Sequence, residues 1–173
     1  MSKTEVIHFT SRFRNTEPLL KVQINGNVVS VSDSVRDLGV ILDNKLQMDR
    51  HIRNVCRVAS YGIYKIGRLR RYLDQQSTER LVHAFVSSQL DYCNSLLYGL
   101  PATSTFPLQR IQNSAARLIV RAKFREHITP VLQSLHWLPI NKRIQFKVLL
   151  LVFKVRNGLA PTYLQNLISN KAH

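Results

Sequence analysis

Chemistry at a metal centre or a nucleophile needs particular side chains brought together, and this chain offers few candidates. Asp33, Asp37, Asp43 and Asp49 follow one another closely, and carboxylates converging on divalent cations are how phosphoryl-transfer sites are built. Their settings read otherwise. Asp33 and Asp37 stand where a turn or strand begins, Asp43 ends the apolar run Val40-Ile41-Leu42, and Asp49 precedes a helical pattern as its cap. His8, His51, His83, His127 and His136 show no HExxH-like spacing, Cys56 and His83 form no recognisable dyad, and no glycine-rich phosphate loop occurs. Cys56 and Cys93 make neither a disulfide framework nor a clustered metal site; both sit in helical patterns where a small buried thiol is ordinary, which fits a reducing compartment. The residues specify no complete reaction, so no catalytic residue and no metal ligand is assigned.

Charge is more informative. The 173 residues hold 25 Lys and Arg against 10 Asp and Glu, a formal net charge of +15, while 45% hydrophobic residues suffice for a core. That imbalance calls for an anionic partner. The cations are spread along the whole chain and not gathered in one tail, which favours nucleic acid over a membrane surface or an acidic protein. The start, MSKTEVIHFT, has no apolar leader, and the richest apolar run, residues 148–153, is closed by Lys147 and Lys154, too short to span a bilayer. An intracellular location, nucleus or cytoplasm, follows as the expectation, with no membrane partner.

The elements that must position any site change character along the chain. In residues 1–48 the patterns are β-like: TEVIHF alternates, and LLKVQI and NVVSV flank Asn25-Gly26, a strong tight-turn signal. DLGVIL reads as a further short strand in which Gly39 marks a bulge or the close approach of another backbone. Residues 49–173 are helical. Over 49–72 the period becomes 3.6: Ile52, Cys56, Ala59, Ile63 and Ile66 share one face, and Arg50, Arg53, Arg57, Tyr61, Tyr64, Lys65, Arg68 and Arg71 share the opposite one, with no acidic residue among them. Like charges at i,i+4 cost a few tenths of a kcal/mol, so this face suits a phosphate backbone, with the tyrosines placed to stack on bases or to pack on a neighbour. Residues 74–98 read as one amphipathic packing helix whose inner face is Leu81, Val82, Phe85, Val86, Tyr92, Cys93 and Leu96, stopped by Gly99 and Pro101. After a Thr/Ser-rich loop, a helix from Pro107 buries Leu108, Ile111, Ala115, Leu118 and Ile119 and turns Arg110, Arg117 and Arg121 outward as a second basic stripe. Thr129-Pro130 starts a short helix with Trp137 as a core anchor, residues 140–157 form the most buried helix, closed by Gly158, with Arg143, Lys147 and Lys154 on a narrow basic face, and a short helix follows Pro161. The fold class is α+β, a small antiparallel β unit followed by a mainly α-helical bundle.

Several of these blocks carry a resemblance. SVRDLGVILDNKL, the helix with HIRNVCR, LVHAFVSSQLDYCNSLLYGLP, LQRIQNSAARLI and HITPVLQSLHWLPINKRIQFKVLLLVFKVRNGLAP, in that order, resemble the C-terminal part of the reverse transcriptase of non-LTR (LINE-type, jockey-like) retrotransposons, over roughly residues 3–167. The resemblance implies an RNA-directed DNA polymerase: residues 1–48 would be the end of the palm with its primer-grip hairpin, in which Leu38, Gly39 and Val40 hold the primer end, and residues 49–173 a thumb-like domain and extension that track a template-primer of RNA or DNA. The family's catalytic pair of adjacent aspartates lies upstream of the KTE strand and has no counterpart here. The chain is thus expected to be a fragment that does not polymerise alone, with no cofactor of its own, Mg²⁺ belonging to the complete enzyme, and with the missing palm and fingers among its contacts. Two other readings stand beside this one: a stand-alone non-specific nucleic-acid-binding module, and a decayed remnant without selected function.

Overall fold

A computed structural model describes residues 4–11, 21–24 and 26–169. The chain is α+β and divides into two compact units, Met1–Val55 and Cys56–His173.

In the first unit, β1 (Val6–Ile7), β2 (Lys21–Ile24) and β3 (Asn27–Ser32) form a sheet in the order β1-β3-β2. The hairpin expected at Asn25-Gly26 is present: β2 and β3 run antiparallel, Ile24 stands opposite Asn27, and Gly26 takes a φ of 79° that an L side chain rarely adopts. Asn25 itself, and Leu19 and Leu20 of the expected strand, lie outside the described residues. The unit is not purely antiparallel, because β1 takes the other edge of β3 in parallel, Val6 opposite Val31.

A second hairpin joins β4 (Ser34–Asp37) to β5 (Val40–Asp43), with Asp37 opposite Val40. Here the expectation for Gly39 is corrected. It lies in no strand and at no bulge; Leu38 and Gly39 are the turn, at φ 44° and 86°. Two successive left-handed residues suit a two-residue hairpin because their twist matches that of the strands. Leucine is a poor residue for the first of these positions, which is why DLGVIL reads as uninterrupted strand.

Beyond β5 the Asp43 carboxylate shapes the loop. Its Oδ1 accepts from the backbone N–H of Lys45 at 3.1 Å and of Gln47 at 2.9 Å, and its Oδ2 from that of Met48 at 2.6 Å. The loop so held leads to Met48, which is buried, as are Val40, Ile52 and Val55 of the same unit. Ile52 and Val55 belong to α1 (Asp49–Leu69), whose first turns complete this unit.

The second unit begins within α1 and is helical throughout. A 3₁₀ turn, Arg70–Tyr72, follows α1; then come α2 (Gln75–Val82), a π-helical segment His83–Ser87, α3 (Ser88–Asp91), a 3₁₀ turn Asn94–Leu97, α4 (Ala102–Val120), α5 (Ile128–Ser134), α6 (Ile140–Arg156) and α7 (Thr162–Ser169). Asp74 caps α2, its carboxylate accepting from the Ser77 N–H at 2.7 Å. Ala59, Ile66, Val82, Val86, Leu108, Ala115, Ile119, Trp137 and Ile144 are buried, the expected anchor role of Trp137 included.

Three expectations are corrected here. The helix foreseen over residues 74–98 ends at Asp91, because Tyr92 turns to extended backbone and Cys93 enters the left-handed region at φ 51°. Phe85, in the π segment, and Tyr92 and Leu96, beyond the end of α3, all expected inside, are more than half exposed. The helix expected from Pro107 starts at Ala102, so that Pro107 is its sixth residue, beyond the first turn, where the missing N–H takes one bond out of the helical ladder. Third, α6 is not the most buried helix. Ile140, Ile144 and Val155 face the bundle, while Phe146, Leu149 and Phe153, on the opposite side, are exposed. A helix apolar on both sides reads as buried, yet among the described residues only its inner side is covered.

Candidate nucleic-acid interface

Helical periodicity places the side chains of the first basic stripe. At 100° per residue, Arg50, Arg53, Arg57, Tyr61, Tyr64, Lys65 and Arg68 fall within about 120° of α1, opposite its buried side. All are exposed, Tyr61 and Tyr64 at 60% and 59%. No carboxylate occurs from Arg50 to Leu73, so nothing on this face neutralises the cations from within the helix. Each unit holds its own part of the stripe.

In the first unit, Arg50 donates to the Ser34 hydroxyl and Arg53 Nε to the Asp49 carbonyl at 3.3 Å. In the second, the Lys65 ammonium lies 4.4 Å from the centre of the Tyr61 ring, and the Arg71 guanidinium 4.5 Å from that of Tyr72. These cation–π contacts hold ring and charge side by side on the surface, a pairing suited to an adjacent phosphate and base.

The second basic stripe is different in kind. Arg110 is exposed on α4. Arg117 instead donates to the Glu126 carbonyl at 3.1 Å and lies 5.9 Å from the Phe124 ring, so it anchors the loop after α4. Arg121, in the left-handed position that ends α4, donates to the Arg70 carbonyl at 3.1 Å. The fold thereby brings Arg121 to the end of the first stripe, beside Arg70 and Arg71, while leaving Arg110 nearer the middle of α4.

Sequence reading passed over Arg70, and its position explains the meeting. Its guanidinium donates to the carbonyls of Leu118 at 2.8 Å, Ile119 at 2.7 Å and Leu73 at 2.7 Å. A cation at a helix C-terminus satisfies carbonyls that lack an in-helix partner and complements the dipole. Loss of water around it, then the charge of Arg121, lowers the pKa of Arg70; it remains a cation nonetheless. Its spacing gave no hint, since Leu118 and Ile119 lie far along the chain.

The primer-grip-like residues split. Leu38 projects from the hairpin tip, 83% exposed, Gly39 completes the turn, and Val40 is buried in the first unit's core. A ligand at this hairpin would meet Leu38 and the Gly39 backbone and would not meet Val40.

The acidic and nucleophilic candidates give no catalytic geometry. Asp33, Asp43 and Asp49 do line one cleft of the first unit, with Arg50 and Arg53, but both oxygens of Asp43 are engaged by backbone N–H groups. Among the described residues no three His, Cys, Asp or Glu side chains are grouped to hold a metal ion. Burial raises the pKa of the Cys56 thiol, which disfavours the thiolate. His51 is buried, its Nδ1 accepting from the Ile41 N–H at 3.4 Å, and burial, then the charge of Arg36, lowers its pKa. Among the described residues no helix is long and apolar enough to cross a membrane. No family model matches this chain, and neither does any curated protein or solved structure.

Proposed function

We propose that this chain binds duplex or hybrid nucleic acid through the cation-and-tyrosine face of α1, as the C-terminal, thumb-like part of a non-LTR retrotransposon reverse transcriptase. The observation that carries the reading is that face: exposed Arg57, Lys65 and Arg68 with exposed Tyr61 and Tyr64, and no carboxylate among them. A solvated helix surface gains from alternating signs; an unbroken row of cations gains from phosphates, which it releases from their counterions. The β4–β5 hairpin supports the same reading, because Leu38 at its exposed tip and a turn backbone beside it suit a contact with a primer end. The sequence has no two adjacent aspartates, and among the described residues no three His, Cys, Asp or Glu side chains are grouped to hold a metal ion. Primer extension is therefore not assigned to this chain, and its proposed place is intracellular, in nucleus or cytoplasm.

The test is a salt-titrated binding curve. Each phosphate contact contributes a slope of about −0.9 in log K against log salt for B-DNA, so affinity should fall steeply between low and moderate ionic strength, with little dependence on sequence. Changing Arg57, Arg68 and Arg71 together to Glu should weaken binding across all sequences and flatten the slope, while circular dichroism and melting stay close to the parent, since exposed charge changes cost about 0.5 kcal/mol or less. A folded triple variant with unchanged affinity would remove α1 from the interface.

A further inference from the structure

The outward side of α6 carries a pattern that its place in the bundle does not use. Lys142, Phe146, Leu149, Phe153 and Arg156 follow one another at spacings of 4, 3, 4 and 3 residues, which at 100° per residue puts them within about 80° of the helix surface. Ile140, Ile144 and Val155 hold the opposite arc and are buried. The outer apolar side chains are not: Phe146 is 57% exposed, Leu149 66% and Phe153 57%. One face of α6 thus closes the core of the helical unit, while among the described residues nothing covers the second. A contiguous apolar row of this kind on a surface marks a place of contact with another molecule.

The row has the form of a helix–helix seam. Apolar side chains alternating at three and four residues line up along the helix axis and offer knobs to the holes of a facing helix. Cations close it at both ends. Lys142 stands one turn before Phe146 and Arg156 one turn after Phe153, both exposed and about 21 Å apart along the axis. The Lys142 ammonium donates to Gln145 Oε1 at 3.3 Å, and neither cation has a carboxylate partner among the described residues. Arg143, off the seam, is already paired with Asp91 at 2.7 Å. No acidic residue follows Glu126 in the sequence, so carboxylates for the two ends must come from elsewhere.

From this arrangement we infer that the outer face of α6 docks an acidic amphipathic helix of a partner protein, with apolar side chains facing Phe146, Leu149 and Phe153 and carboxylates facing Lys142 and Arg156. Charge decides against a second copy of this chain. Antiparallel pairing of two α6 helices would set Lys142 against Arg156, and parallel pairing would set each cation against its own copy; like charges facing across a seam repel and exclude the pairing. Phosphates would answer the cations but not Leu149, which lies between the two phenylalanines and offers no ring for a base. A helix with carboxylates at both ends of a short apolar row answers both features at once.

The inference is independent of the α1 reading. The probe is a fluorescein-labelled, alanine-rich helical peptide of about 20 residues, with leucine at three consecutive seam positions and glutamate at the seam positions on either side. Fluorescence anisotropy with the full chain should show binding several-fold tighter than for two controls, one with the same residues shuffled off the seam and one with lysine in place of glutamate. Equal binding of the shuffled peptide would reduce the contact to general charge attraction and overturn the inference, as would no binding at submillimolar protein. Leu149→Ser should weaken the glutamate peptide about tenfold, as expected for a central apolar interface residue, with circular dichroism unchanged because the side chain is exposed. Unchanged affinity in that folded variant would overturn the proposal. Should it fail to fold, Lys142→Glu with Arg156→Glu decides: the double variant should lose the glutamate peptide and gain the lysine peptide, and a folded protein that keeps the parent's preference would overturn the proposal too. Vesicles of phosphatidylserine and phosphatidylcholine, and sedimentation of the chain alone, test the other occupants. Vesicle binding or self-association that disappears in Leu149→Ser would give the face to a lipid surface or to a second copy and overturn the inference. The variant with Glu at Arg57, Arg68 and Arg71 should still bind the peptide, so loss of duplex binding and loss of helix docking are read separately.

Discussion

Gly62 on α1 lies so close to Phe85 in the π-helical segment that a β-carbon built on it would stand 3.2 Å from the Phe85 carbonyl oxygen and 3.4 Å from the Phe85 β-carbon. The bare backbone of α1 at this point admits the widened turn opposite. An alanine at a helical glycine normally stabilises by about 1 kcal/mol, but here the gain is opposed by contact with a main-chain oxygen that moves only with its helix. Gly62→Ala should therefore be near neutral and Gly62→Val destabilising by about 1–3 kcal/mol, the usual range for overpacking. Gly67 is the control: it is exposed, and its β-carbon would meet only the Leu118 Cδ1 at 4.0 Å, so Gly67→Ala should stabilise by up to about 1 kcal/mol. Urea unfolding of the three variants checks the order; a stabilised Gly62→Val protein would show that the contact is slack.

Arg70 and Arg71 are neighbours with opposite work. Arg70 donates to two carbonyls at the end of α4 and to the Leu73 carbonyl after the turn that follows α1, whereas Arg71 is exposed and lies over the Tyr72 ring. Hydrogen bonds to a charged group contribute more than neutral ones, so Arg70→Ala should destabilise the helical unit by on the order of 2 kcal/mol. Arg71→Ala should leave melting within about 0.5 kcal/mol and weaken nucleic-acid binding. Paired melting and binding curves separate the roles. Equal effects of the two variants on stability would show that capping at α4 is not what Arg70 supplies.

How much of this was legible in the sequence follows from where each signal resides. The β2–β3 hairpin was readable because Asn25-Gly26 is a local instruction, and the α1 stripe because a period of 3.6 needs only the helix itself. Gly39 was misread because the residue before it is leucine, which rarely accepts the left-handed position that the turn gives Leu38. The end of α3 at Asp91 was invisible for a similar reason: Cys93, and no glycine or proline, breaks the helix. The outward faces of α6 and of Phe85 could not be read from periodicity, which finds apolar stripes without telling what covers them. The bonds of Arg70 to Leu118 and Ile119, and of Arg143 to Asp91, were silent because these partners are distant along the chain, and no local pattern marks a contact of that kind.

Cys56 offers a check on the α1 surface. It is half-buried, and burial raises its pKa, so at neutral pH its thiolate fraction is below that of a free thiol. Reaction with a thiol-specific alkylating reagent should be slower than for a model cysteine peptide, and it should accelerate in urea as the packing opens. A reaction at the model rate in the folded protein would place Cys56 on the open face of α1 and unsettle the assignment of its basic side.

The last expectation concerns pH and the first unit. His51 is buried, and its Nδ1 accepts from the Ile41 N–H, a bond that only the neutral ring with a free Nδ1 lone pair can make. Burial, and next the charge of Arg36, hold its pKa below the ordinary histidine value, so the unfolded chain takes up this proton more readily than the folded one. Stability rises with pH wherever the unfolded state binds more protons. The contribution is therefore present above the unfolded value of about 6.5 and is lost as pH falls from there through the lower folded value. Asp74, held below the usual carboxylate range by its hydrogen bonds from Ser77, acts in the same direction but in a separate, more acidic window. His51→Gln retains an acceptor for the Ile41 N–H and removes the titration, so it should flatten the dependence between pH 7.5 and pH 5. Nuclear magnetic resonance titration of the His51 ring, with urea unfolding of both proteins followed at the β4–β5 hairpin across that range, is the measurement. A His51 that titrates at or above the ordinary value, or a variant that loses stability on acidification as steeply as the parent, would show that this ring does not govern the acid response of the first unit.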